Sequence, residues 1–128
     1  MKKNTEIVVI NPKNKTITKH KVNSFNEVTR IILGIRSNTD FTDYLKINSE
    51  NDLVMDERGL YFPEQGGFTL KGFDFPILGI SVIIGVSKEP NKDGMFESCS
   101  SSMTVSDIEH MVTFLPNFLV NQYSFRNQ

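Results

Sequence analysis

Five carboxylates crowd into one stretch of the chain: Asp52, Asp56, Glu57, Glu64 and Asp74. Two carboxylates held close can split their pKa values and divide the work of acid and base, or hold a divalent cation. The spacing here matches no cation-binding loop. The plainer reading is that these residues solvate turns and strand ends. No catalytic residue and no metal ligand is assigned from them. Asp56 and Glu57 stand as candidate ligand- or partner-binding residues.

The other reactive side chains are few. Cys99 lies among serines, and a nucleophilic thiol needs a base in reach and a lowered pKa. His110 is the histidine nearest to it in sequence, so a Cys–His pair is the thinnest of the enzymatic readings. An inert thiol in a polar loop is the plainer one. His110 stands two residues past Ile108, about 200° around a helix from it, at a polar boundary. His20 sits on a lysine-flanked strand, and a His20–His110 metal pair would need a contact that the sequence does not show.

Two further groups could bind rather than react. Gly66, Gly67 and Gly72 loosen a loop that also carries Phe68 and Phe73. They form no phosphate-cradling pattern. The loop, residues 63–75, could still close over a small molecule or nucleotide as a lid, or present its Phe side chains to a partner. Lys13, Lys15, Lys19 and Lys21 form a basic patch on one hairpin. No aromatic residue interleaves with them, so the stacking half of a single-strand nucleic-acid site is missing. Lysines that guard an exposed sheet edge are the plainer reading.

The elements that must position these residues are legible in part. Residues 6–10 (EIVVI) are apolar on both parities, as in a strand buried on both faces. Asn11-Pro12-Lys13-Asn14 is turn chemistry, and residues 16–22 return as an edge strand. Ser24 and Glu27 form a capping-box pattern ahead of Val28, Ile31, Ile32 and Ile35, which share one helix face. Ser37-Asn38 closes that helix. Residues 41–47 and 52–55 read as strands. Gly59 is the natural left-handed residue of the turn that follows Asp56, and residues 60–62 return the chain. Residues 77–86 (ILGISVIIGV) are the most apolar run and the expected central strand, with Gly79 and Gly85 marking a bulge or a close approach. Residues 95–97 could add an edge strand, and residues 98–102 read as mobile. Thr104 caps a second helix with Val105, Ile108, Met111, Val112 and Leu115 on its apolar face, ended by Pro116. Residues 118–125 form a loosely apolar tail.

A chain of 128 residues with 38% hydrophobic and 23% charged content is one domain, able to bury a core. The expected fold is α+β: a mixed, mostly antiparallel sheet with two helices packed on one face. The net charge of −1 supplies no global field for nucleic acid or anionic lipid. A single cysteine excludes an internal disulfide. The longest near-apolar run, residues 75–86, is short of a membrane span. A cytoplasmic protein without a cofactor is expected.

At the stretch DLVMDERGLYFPEQGG…ILGISVIIG the chain resembles a family of small uncharacterised proteins encoded by phages, plasmids and conjugative elements. In these an acidic-acidic-x-Gly turn leads to a Pro-containing loop, an apolar strand with Ile/Leu-x-Gly at its start and a Thr/Ser-capped helix. The matching positions are Asp56, Glu57 and Gly59, then Pro63, then Leu78-Gly79, then Thr104 to Ile108. Glu64-Gln65 stand where the family tends to carry Asn after the proline. The resemblance implies an accessory gene of a bacterial mobile element. The functional expectation is a non-catalytic accessory protein acting by protein–protein contact, with a homodimer possible. The alternatives are a small-molecule or nucleotide binder using the 63–75 lid, and an enzyme.

Overall fold

A computed structural model describes residues 1–34 and 41–124. Ile35, the Ser37-Asn38 stop and Phe125 lie outside the described residues. Among the described residues there are nine strands and three helices, and every strand pairing is antiparallel.

The expected hairpin forms as β1 (Thr5–Asn11) and β2 (Thr16–Val22). Strands β3 (Thr42–Asn48) and β4 (Asn51–Asp56) make a second hairpin. Between the two lies β7 (Ser81–Val86), which gives the order β2-β1-β7-β4-β3. The short strand β8 (Ser98–Cys99) pairs with the far end of β7. Strands β1 and β7 are apolar on both parities because both faces of this sheet are covered.

On one face sits α1 (Phe25–Leu33). Ser24 caps it by accepting from the Glu27 N–H, and Glu27 reaches back to the Asn23 N–H at 2.7 Å. Val28, Ile32 and Leu33 of α1 pack against Ile7, Val9, Val54, Val82 and Ile84. The opposite face carries Val8, Ile10, Leu53 and Ile83, covered by a smaller sheet and by α2 (Val105–Glu109) through Ile108. The smaller sheet is β6 (Ile77–Leu78), β5 (Gly67–Leu70) and β9 (Val112–Phe114), in that order. The α+β class and antiparallel sheet stand as expected. The helices, however, divide between the two faces, because the large sheet is apolar on both and needs a cover on each.

Three expectations are corrected. The run 77–86 is two strands in two sheets. Gly79, with φ +98°, turns the chain between them, and its N–H donates to the Gly66 carbonyl at 3.0 Å. The second helix ends at Glu109, and Val112 joins a strand instead. Residues 95–97 are not a strand; the edge strand is β8, inside the stretch expected to be mobile. That stretch is tied down by Asn51, which is fully buried. Its side chain accepts from the Ser101 hydroxyl at 2.8 Å and donates to Ser102 Oγ at 2.8 Å. The chain closes with α3 (Asn117–Tyr123), docked through the buried Val120 and a Ser124 hydroxyl bond to the Leu60 carbonyl. No helix among the described residues is long and apolar enough to cross a membrane.

Candidate functional site

The acidic turn follows directly from the end of β4. The Asp56 carboxylate is buried and accepts from the Arg58 N–H at 2.9 Å. The Glu57 N–H continues the ladder to the Phe41 carbonyl at 2.9 Å, and the Glu57 side chain is exposed. Arg58 folds its guanidinium over the Phe41 ring, 4.4 Å from the centroid. Gly59 is not left-handed, contrary to the sequence expectation. It opens a 3-10 turn (Gly59–Tyr61), and its need for glycine is contact: a Cβ there would overlap the Leu78 carbonyl oxygen.

That contact joins the turn to β6 and leaves a cleft of about 160 Å³ between the ends of the two sheets. Asp43, Asp56, Glu57, Phe75, Pro76 and Leu78 line it. Phe75 is 45% exposed and meets Phe73 edge-to-face, with ring centroids 6.2 Å apart. The site thus joins three carboxylates of one sheet to an aromatic side chain on the approach to the other. Sequence reasoning named Asp56 and Glu57 but missed Asp43, which lies thirteen residues earlier and is brought in by the β3–β4 pairing of Asp43 with Met55.

Of the 63–75 loop, Phe75 lines this cleft, whereas Gly66, Gly67 and Phe68 do not. Gly66, Gly67 and Phe68 are all buried, and Phe68 has no exposed surface. Gly67 and Phe68 belong to β5, and Phe68 fills the core between the two sheets. The alternative reading, in which residues 63–75 act as a lid that presents Phe68, is therefore corrected at Phe68: it and Leu70 are the buried positions of a strand. Gly66 abuts the backbone of Pro12 and Lys13, so the loop is packed on the turn of the first hairpin. Phe73, half-buried, supports Phe75.

The lysines lie apart from the cleft. Lys13 and Lys15 occupy the hairpin turn, Lys15 at φ +56°. Lys19 and Lys21 share a face of β2, opposite Val8 and Glu6. Lys19 is paired with Glu6 at 2.9 Å, and this contact holds the Glu6 carboxyl below its ordinary range. One member of the patch is thus already engaged.

A larger cleft, about 470 Å³, lies at the opposite end of the strands and was not foreseen. Lys2, Lys3, Ser87, Glu97, Cys99 and Ser100 contribute to its wall. Polar, small residues at 98–102 carry no periodicity that would have revealed it. Burial pushes the Cys99 thiol up, and the Glu50 carboxylate adds to the shift, which is the reverse of what a nucleophile needs. His110 ends α2 with Nδ1 2.6 Å from the Ser106 carbonyl oxygen, and His20 Nε2 lies 2.8 Å from the Thr18 hydroxyl. Among the described residues no three His, Cys, Asp or Glu side chains gather as a metal site. Compared with protein-family models, curated proteins and solved structures, the chain matches none.

Proposed function

We propose that the chain is a non-catalytic accessory protein that works by protein–protein contact, with the cleft beneath Phe75 as the contact. One observation carries this reading. A half-exposed phenyl ring stands beside Asp43, Asp56 and Glu57 at a cleft the size of a single side chain. Exposed aromatics beside a pocket are the anchors of protein interfaces. Carboxylates around an anchor steer and orient a basic partner, and a Lys or Arg head beside Phe75 gains a cation–π contact as well. The partner is therefore a protein segment with a basic side chain flanked by apolar ones. In the setting that the sequence resemblance implies, it is a host or element protein in a bacterial cytoplasm.

The test is a selection of displayed random peptides on the immobilised chain. Basic-apolar peptides should be enriched. Their affinity should fall roughly tenfold to thirtyfold on Phe75→Ala, in the range of an interface anchor. Glu57→Lys should weaken them further, and binding should fade with salt. Enriched peptides that bind Phe75→Ala as well as the parent would overturn the reading.

A further inference from the structure

The 470 Å³ cleft has the size of a small-molecule site, yet no aliphatic or aromatic residue lines it. An apolar ligand gains nothing there. What the walls offer is charge and hydrogen-bond donors. The segment before β1 supplies Lys2 and Lys3, and the β8 end supplies Ser98 and Ser100. The lysines are placed by built structure. Asn4 is left-handed at φ +58°, its N–H donates to the Asn23 side-chain oxygen at 2.9 Å, and the Thr5 hydroxyl donates to the Lys2 carbonyl. Among the described residues neither lysine has an ion pair, whereas Lys19 and Lys88 each hold a carboxylate.

The hydroxyls differ in what they have left to give. Ser87 is spent, donating to the Glu89 carbonyl and accepting from the Glu97 N–H. Ser100 Oγ accepts from the Glu6 N–H at 2.9 Å, which fixes the oxygen and leaves its own hydrogen to donate. The Ser98 hydroxyl makes no hydrogen bond among the described residues. Glu97 is the one carboxylate among the described lining residues, and its Oε1 accepts from the Asn91 amide at 3.2 Å. Two ammonium groups and two hydroxyl donors against one carboxylate suit a compact dianion. A phosphate monoester carries close to two charges at neutral pH and three strong acceptor oxygens. Lysines meet such a group as point charges. The cleft has room beside the phosphate for a small polar carrier.

We propose that this cleft binds a small phosphorylated molecule, with its phosphate monoester held by Lys2, Lys3 and the Ser98 and Ser100 hydroxyls. The site is separate from the Phe75 cleft at the other end of the strands, so either reading can fail without the other. Its charged groups are exposed, so binding is modest, with a Kd on the order of 1 mM, about what two charge-assisted hydrogen bonds supply.

NMR titration of the full chain, followed at its backbone amides, tests it with ribose 5-phosphate, inorganic phosphate and dimethyl phosphate as probes. Ribose 5-phosphate should shift the amides of residues 2–5 and 97–100 saturably, at least as tightly as inorganic phosphate. Dimethyl phosphate, with a single charge, should bind roughly tenfold more weakly. Lowering the pH to about 5, below the second phosphate pKa near 6, should weaken ribose 5-phosphate in the same direction. Lys2→Gln with Lys3→Gln should cost roughly tenfold or more. Glu97→Gln removes a like charge and should tighten binding roughly two- to fivefold. Lys13→Gln with Lys15→Gln removes the same charge away from the cleft and should change nothing. All of these side chains are exposed, so an unchanged melting temperature confirms that each variant is folded. Three results would each overturn the proposal: no saturable shift, an affinity indifferent to Lys2→Gln/Lys3→Gln, or shifts as large at Lys13 and Lys15 as in the cleft. Inorganic phosphate that binds while ribose 5-phosphate does not would overturn it as well.

Discussion

Phe68 separates two ideas of what the 63–75 segment does. As a lid residue it would be dispensable for stability; as a core residue it would not. It has no exposed surface and packs among Val8, Ile10, Leu53, Ile83 and Ile108, with Ile77 and Phe114 as its strand partners. Phe68→Ala removes the ring from the layer between the sheets. The lost transfer energy and the remaining cavity together cost about 3–5 kcal/mol. A domain holds roughly 5–15 kcal/mol in total, so this is a large fraction. The melting temperature should fall on the order of 10–15 °C. Phe68→Leu keeps most of the apolar volume and should cost about 1–2 kcal/mol. Urea titration and thermal melting, both followed by circular dichroism, measure these differences. Phe75→Ala is the internal control: it is half-exposed and should stay within about 0.5 kcal/mol of the parent. If Phe68→Ala melts within about 2 °C of the parent, Phe68 is not the keystone between the sheets, and the lid reading returns.

Gly59→Ala should cost about 1–3 kcal/mol, because its Cβ would overlap the Leu78 carbonyl oxygen and one of the two backbones must move. Gly72→Ala, with open space around it but φ +92°, should cost about 1–2 kcal/mol through backbone strain. Urea midpoints compare the two, and a Gly59→Ala chain as stable as the parent would contradict the close approach. At the start of α2 the Thr104 backbone N–H, then its hydroxyl, hold the Asp107 carboxyl below its ordinary value. A depressed carboxyl contributes stability above its unfolded pKa, about 3.9, and loses it as pH falls through the lower folded value. The stability difference between the parent and Asp107→Asn should therefore be constant near neutral pH and shrink below about pH 4. A difference that persists unchanged into acid would show that the capping box does not depend on the charge.

The parts of the fold that were legible in sequence are those specified by neighbours along the chain. The first hairpin has its turn residues between two β-branched runs, and α1 has its cap four residues before its first buried position, Val28. The parts that were not legible depend on distant partners. Met111, Val112 and Leu115 continue the helical spacing of Ile108, yet Val112 to Phe114 form a strand because β5 offers Leu70, Thr69 and Phe68 as partners. β-branched residues beside an aromatic suit that role, and the tertiary pairing outweighs the local periodicity. Residues 98–102 carry no apolar pattern at all. Their order comes from distant partners: β7 pairs with Ser98 and Cys99, Glu6 bonds Ser100 and Ser101, and the amide of the buried Asn51, fifty residues before Ser101, matches the Ser101 and Ser102 hydroxyls.

The candidate site has the same dependence on distant choices. Residues 77–86 read as one strand, and as one strand they would leave Asp56 and Glu57 at an ordinary solvated turn. The left-handed Gly79 instead hands Ile77 and Leu78 to the smaller sheet while Ser81 to Val86 remain in the larger. That division sets the Leu78 carbonyl against Gly59 and holds the acidic turn beside the approach to β6, where Phe75 stands. The carboxylates lie on the large sheet and the phenyl ring on the segment leading to the small one, so the cleft exists because one apolar run serves two sheets. Its residues carry no shared spacing in sequence, since what unites them is the relative placement of two hairpins. A partner of the kind proposed, reading Asp43, Glu57 and Phe75 together, would therefore read the folded arrangement, and a peptide copied from any one of these stretches lacks the site.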